Sequence, residues 1–268
     1  MANYEFIKVE TEGPLTILTL NRPEKYNALA TAVLTEIVDF LHTAKNDPEI
    51  RALMITGAGK GFCAGADMDD WNDKFDAEII PDPVKSEQIW TDLAHEMIIS
   101  VKTFPKPVVA AVNGAAVGLG CDLALACDRR FASTNAKFGE FYIRRGYAPD
   151  GGGSWLLPRL IGWAEAADMI YTGRLVKADE AKELRIVNVL CEPDKLIEEA
   201  KAYALLLANG PTIGIIEAKK NLLQSEFMTL ENELRLERQS GVICGHTEDE
   251  KEGVKAFMEG RDPVYKGR

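Results

Sequence analysis

The stretch Pro105-Lys106-Pro107-Val108-Val109-Ala110-Ala111-Val112-Asn113-Gly114, continuing through Gly118-Leu119-Gly120-Cys121-Asp122 to Leu123-Ala124-Leu125-Ala126-Cys127-Asp128, decides the fold. Its apolar run, 108–112, is short, rich in β-branched residues and bounded by proline and Asn113-Gly114, so it reads as a buried strand. The glycine-rich turn follows, and after it alanine and leucine recur on a helical pattern. A strand, a glycine turn and a helix in this order aim the helix N-terminus at whatever lies in the turn. Its unpaired N–H groups and positive dipole end favour negative charge there. That charge is either a phosphate or an oxyanion that exists only during a reaction. The same glycines also suit plain tight packing. The dinucleotide pattern G-x-G-x-x-G fails, because Leu123 occupies its last position.

A second unit of the same kind lies upstream. Ala52-Leu53-Met54-Ile55-Thr56 reads as a strand stopped by Gly57-Ala58-Gly59-Lys60-Gly61, and Phe62-Cys63-Ala64-Gly65-Ala66-Asp67 follows. With the two strands side by side in one sheet, both turns open at the same edge, where ligands bind in open α/β layers. Residues 6–10 and 15–20 alternate around Glu12-Gly13-Pro14 as a hairpin. Residues 28–44 carry Leu34, Ile37, Val38 and Leu41 at helical spacing. The acidic, aromatic stretch 71–100 reads as helix, loop and helix, or simply as a solvated face with packing tryptophans. A terminal strand is expected at 186–190. Beyond Pro193 the pattern is helical: 196–209, 213–224, 229–241 and 248–258. That shift is the one candidate boundary, dividing 1–195 from 196–268.

The bulk numbers exclude some functions. The 268 residues carry a net charge of −11, against a nucleic acid or an anionic membrane as main partner. The five cysteines are spread singly and form no zinc-spaced set, so no metal is expected and the thiols read as reduced and mostly buried, as in a cytoplasmic protein. No apolar run approaches the roughly 20 residues of a membrane span. A serine peptidase would need a Ser–His–acid set. The chain offers only His42, His95 and His246, and Ser154 has no evident partner.

Four blocks in order carry a resemblance that covers essentially the whole chain. They are Asn21-Arg22-Pro23 with Asn27-Ala28-Leu29; Gly61 to Asp67; Asn113-Gly114 with Gly118 to Asp122; and Pro149-Asp150-Gly151-Gly152-Gly153. Together they resemble the crotonase (enoyl-CoA hydratase/isomerase) superfamily. The resemblance implies an α/β fold: a spiral of repeated ββα units with a C-terminal helical region that builds homotrimers or hexamers. It implies an acyl-coenzyme A thioester as substrate, with coenzyme A as part of the substrate and no bound cofactor. It implies an enolate held by two backbone N–H groups, those of Ala66 and Leu119. The family commonly has glycine at the second place, but the donor is main chain. Coenzyme A is implied to lie near Lys25, Ala64, Ala66, Asp67 and Phe257. The lysine usual three residues after Phe257 is Gly260 here, with Arg261 and Lys266 close by. Trp71, Trp90 and Trp155 are expected to line the acyl pocket.

The departures are informative. The family's hydratases use two glutamates, and Asp122 and Tyr142 stand at those positions. Aspartate sets its carboxyl back by about 1.5 Å on the same backbone. A tyrosine, titrating at about 10, is a poor base at neutral pH. Asp150 offers a substitute carboxylate at a turn that in the family faces the acyl group. It also reads as the N-cap of a helix beginning near Ser154. The expected activity is double-bond isomerisation, or hydration of an unusual, for instance cyclic, enoyl-CoA, with Asp150, Tyr142 and Asp122 as catalytic candidates. The alternatives are hydrolysis of a thioester or C–C bond on the same scaffold, or a non-catalytic RNA-binding relative, against which the negative charge argues. Leu222, Leu223, Leu230, Leu234 and Phe257 are expected to need a subunit partner.

Overall fold

The computed structural model describes residues 4–73 and 83–268, with the side chains of 71–73 and 83–87 outside the description. Six strands form the main sheet in the order β1 (Ile7–Glu12), β2 (Leu15–Leu20), β3 (Ala52–Gly57), β4 (Val108–Val112), β6 (Arg129–Ser133) and β9 (Val189–Cys191). β1 and β2 pair as the antiparallel hairpin, and every later neighbour is parallel. A smaller sheet joins β5 (Ala115–Val117), β7 (Lys137–Gly139) and β8 (Val176–Lys177). Single bridges, Cys63 to Ala116 and Leu29 to Ala66, bring earlier segments beside that smaller sheet. Each winding thus gives one segment to each layer before a helix returns the chain. These helices are α1 (Thr31–Ala44), α2 (Met68–Asp73) with α3 (Pro83–Lys102), α4 (Leu119–Ala126), and α5 (Gly153–Ile161). This is the spiral of ββα units that the family resemblance implies.

Alternation along the central strands fills two cores, one on each face of the sheet. Leu53 and Ile55 of β3, with Val108, Ala110 and Val112 of β4, pack with α1, α3 and α4. Ala52 and Met54, with Val109 and Ala111, pack on the opposite face against Leu196, Ala200, Ala204 and Ala208 of α8 (Leu196–Ala208). The second core therefore extends past residue 195. α8 belongs to the sheet, and the change from strands to helices is not a break in packing.

The first helix begins at Thr31 rather than at 28, because Leu29 is spent on the bridge to Ala66. The last strand is Val189–Cys191 rather than 186–190, because the Ile186 carbonyl turns to accept Arg130 Nε at 2.6 Å. After α5 come α6 (Trp163–Thr172) and α7 (Ala178–Glu183), and beyond α8 come α9 (Thr212–Ser225), α10 (Leu230–Cys244) and α11 (Glu248–Glu259). Among the described residues no helix is long and apolar enough to cross a membrane.

Candidate active site

β3 and β4 lie side by side in parallel register, so the turns that follow them open at one edge of the sheet. Two asparagines fix the first turn. Asn27 Nδ2 donates to the carbonyls of Ala58 and Gly61 at 3.0 and 2.8 Å, and Asn113 Nδ2 donates to those of Gly59 and Gly61 at 3.0 and 3.1 Å.

The segment beyond, Ala64 to Ala66, borders a cavity of about 160 Å³. In the bridge to Leu29 the partners are Gly65 O, which accepts the Leu29 N–H, and Asp67 N, which donates to Leu29 O. The Ala66 N–H is therefore turned away from Leu29. Val117 to Leu119 border the same cavity. Gly118 holds φ of +53°, which a side chain rarely tolerates, and that bend brings Leu119 to the first position of α4. The Leu119 N–H is one of the four a helix start leaves unpaired. Among the described residues no backbone acceptor takes the N–H of Ala66 or of Leu119. Gly65 sits between them: a Cβ there would stand 2.6 Å from Val117 O and 3.5 Å from Leu119 N. Two fixed amides on one wall can stabilise an oxygen that gains negative charge.

Aromatic side chains and two charges complete the cavity. Trp90 is buried on α3, its Nε1 donating to Leu29 O at 3.3 Å. Phe141 and Tyr142 come from a 3-10 turn, Phe141–Arg145, and Arg145, Tyr147 and Asp150 follow on the same stretch. Asp150 is thus in the cavity wall. It is not the N-cap residue of α5, a position taken by Gly152. The turn is tied to α3 by His95, whose Nε2 lies 2.7 Å from the Asp150 carbonyl oxygen.

Asp122 and Tyr142 also meet. The Tyr142 hydroxyl donates to Asp122 Oδ2 at 2.6 Å. Asp122 is fully buried, and burial pushes its carboxyl up to about 7, with the Asp150 charge adding to the effect and the Tyr142 hydrogen bond opposing it. The Tyr142 phenol is pushed well above its ordinary value, first by burial and then by the charges of Asp122 and Glu140. Glu140 was missed in the sequence. It is a fully buried carboxyl at the end of β7, also raised well above the ordinary range by burial and then by Asp122. Its signal was an acid between apolar residues, Phe138-Gly139-Glu140-Phe141, where a strand ends.

Other expected residues stand elsewhere. Trp155 is outside the cavity lining: its ring stacks with Phe227 at 6.4 Å, and Arg159 lies over it at 3.9 Å. It therefore does not line the pocket as expected. The Trp71 side chain lies outside the described residues. Asp67 is buried in an ion pair with Arg22 at 2.9 Å, and its Oδ1 accepts the Asp69 N–H at 3.1 Å as α2 begins. That makes it a brace for the loop. Lys25 is exposed and paired with Asp69, and Phe257 is 84% exposed on α11. Arg261 is taken up by Glu252 and Glu259 at 2.6 and 2.7 Å.

The sequence profile of the enoyl-CoA hydratase/isomerase family matches residues 10–268. The 1,2-epoxyphenylacetyl-CoA isomerase of Escherichia coli (strain K12) is 35% identical over 264 residues, 98% of this chain and 99% of that protein. The crotonyl-CoA hydratase of Syntrophomonas wolfei is 35% identical over 259 residues, 96% of each. The crystal structure of an enoyl-CoA hydratase from Bacillus anthracis matches with a TM-score of 0.91 at 33% identity, covering 98% of this chain and 100% of that one. The overall likeness to an isomerase and to a hydratase is the same, so the residues of the site have to divide the two.

Proposed function

The chain belongs to the enoyl-CoA hydratase/isomerase family, and from that premise we propose that it moves the double bond of a compact, for instance cyclic, enoyl-coenzyme A thioester. The thioester oxygen gains charge as a carbon-bound proton leaves, and the amides of Ala66 and Leu119 hold that oxygen. Asp150 takes the proton as a carboxylate and returns it at another carbon of the same acyl group.

One observation carries this reading: Asp150 is the carboxyl that borders the cavity among the described residues, while Asp122 stands behind Tyr142 with one oxygen already engaged. A single carboxylate can carry a proton between two carbons. Hydration with two carboxyls needs a water held between them, and here it would fall to the Tyr142–Asp122 pair to hold it. The size of the cavity supports a small ring, since about 150 Å³ accommodates a benzene molecule.

The rest of coenzyme A would lie along the backbone of Ala64 and Ala66. Lys25 is the proposed phosphate contact, because its exposed pair with Asp69 costs little to break. Leu222, Leu230, Leu234 and Phe257 are exposed and apolar on α9 to α11, and are the proposed contacts of a homotrimer or hexamer.

A spectroscopic panel of cyclic and straight-chain enoyl-CoA thioesters tests the reading, with crotonyl-CoA expected to hydrate slowly. Asp150→Asn should lower turnover on the best substrate by roughly 10²–10⁴-fold and leave acyl-CoA affinity unchanged. Rapid turnover of crotonyl-CoA, or near-full activity of Asp150→Asn, would refute it.

A further inference from the structure

The protein buries an acid that this reaction does not use. Among the described residues Glu140 meets only the Cys121 thiol, a weak donor, and neither its carboxyl oxygens nor Asp122 Oδ1 has a nitrogen or oxygen donor. The two carboxyls come from different elements, Asp122 from α4 and Glu140 from the end of β7, and converge on the backbone of Gly153. A Cβ on Gly153 would stand 2.6 Å from Asp122 Oδ1 and 2.7 Å from Glu140 Oε2. Only glycine lets α5 start that close to both.

Two ionised carboxylates cannot share such a place. Burial disfavours the charged form of each, and each charge disfavours the other. The titratable neighbours are Cys121 beside Asp122, Tyr142 on the 3-10 turn and Asp150 ahead of α5, and each of these ionises to an anion. His95 of α3 reaches only the Asp150 carbonyl. The start of α5 favours one negative charge at Gly153, not two. A proton on Glu140 resolves the conflict. It removes one charge, and it supplies an O–H facing the unpartnered oxygen of Asp122.

We propose that Glu140 is held as the neutral acid and serves Asp122 Oδ1, so that Asp122 stays an anion with its other oxygen committed to the Tyr142 hydroxyl. Glu140 is then a positioning residue. It acts through Asp122 to keep the Tyr142 hydrogen turned away from the cavity and the phenol oxygen open toward it as an acceptor. The link to catalysis rests on the proposed acyl-CoA reaction, but the protonation of Glu140 does not.

Two variants test it. Glu140→Gln keeps the shape and a donor toward Asp122, whereas Glu140→Met keeps the bulk and removes the donor. Infrared spectra of the wild-type protein at pH 8 should contain a protonated-carboxyl band that Glu140→Gln lacks, a reading that needs no substrate. On the best substrate of the panel, Glu140→Gln should retain kcat within about threefold. Glu140→Met should move the acidic limb of the kcat/KM profile upward by at least one pH unit, because Asp122 then takes a proton itself, with KM little changed. The proposal is overturned if the wild type has no such band, if Glu140→Gln loses as much kcat as Glu140→Met, or if the profile of Glu140→Met does not move.

Discussion

Replacing Asp122 with asparagine should stabilise the folded protein, by an amount that grows with pH. Burial raises this carboxyl from 3.8 to about 7 in the folded state. An acid raised in this way keeps its proton in the fold after the unfolded chain has lost it. Between about pH 4 and pH 7 the folded state therefore binds more protons, and stability falls as pH rises, then levels off. Each unit is worth about 1.4 kcal/mol, so the two units between pH 5 and pH 7 cost about 2–3 kcal/mol. Asparagine carries no charge to bury. Its carbonyl can still accept the Tyr142 hydroxyl, and its amide faces Glu140, so the packing against Gly153 is kept. Urea unfolding of the two proteins, followed by tryptophan fluorescence at pH 5 and pH 8.5, should give a stability difference that widens in favour of Asp122→Asn by about 2–3 kcal/mol. A difference that is the same at both pH values, or that narrows, would refute the reasoning. Turnover should fall in the same variant, because the anion that orients Tyr142 is gone; stability gained at a functional site is commonly lost from activity.

Two further outcomes are expected. Leu119→Pro removes one N–H at the first position of α4, where proline is tolerated, and should cut turnover by roughly 10²–10³-fold; unchanged turnover in a folded variant would take Leu119 out of the oxyanion site. Sedimentation at micromolar concentration should give a trimer or hexamer, because Leu222, Leu230 and Phe257 are 72–84% exposed in the single chain; a clean monomer would count against the proposed assembly.

The fold was legible because its signals are local. The run at 108–112 and the glycine turn after it need only strand length and turn chemistry to be read, and β3 with its own turn repeats them. That both turns face one cavity followed from their parallel order. What the sequence concealed depends on contacts between distant residues. Trp155 is expected from the resemblance to line the acyl pocket, but the start of α5 at Gly153 puts its ring against Phe227. The helix boundary at 195 concealed that α8 forms the second core, because small residues at 200, 204 and 208 give a weak apolar stripe that only the sheet completes. Glu140 has no motif of its own in the sequence, and only the meeting of β7, α4 and α5 makes it a buried acid.

The two amides of the cavity wall have a consequence for how such a chain can diverge. Their placement is written in backbone shape: Gly65 and Gly118, with φ of +86° and +53°, set the directions, and the side chains at 66 and 119 do not supply the donors. Apolar drift at 66 and 119 can therefore leave the cradle intact, short of proline. The acids at 122, 140 and 150 come from separate elements and can be exchanged one at a time around it. On the proposed reading, a scaffold built this way can pass from one acyl-CoA reaction to another through a few side-chain replacements, since the oxyanion donors are main-chain groups and only the two glycines that aim them are written in the sequence. A scan of all substitutions should accordingly find apolar replacements tolerated at 66 and at the buried 119, while 65 and 118 hold to glycine.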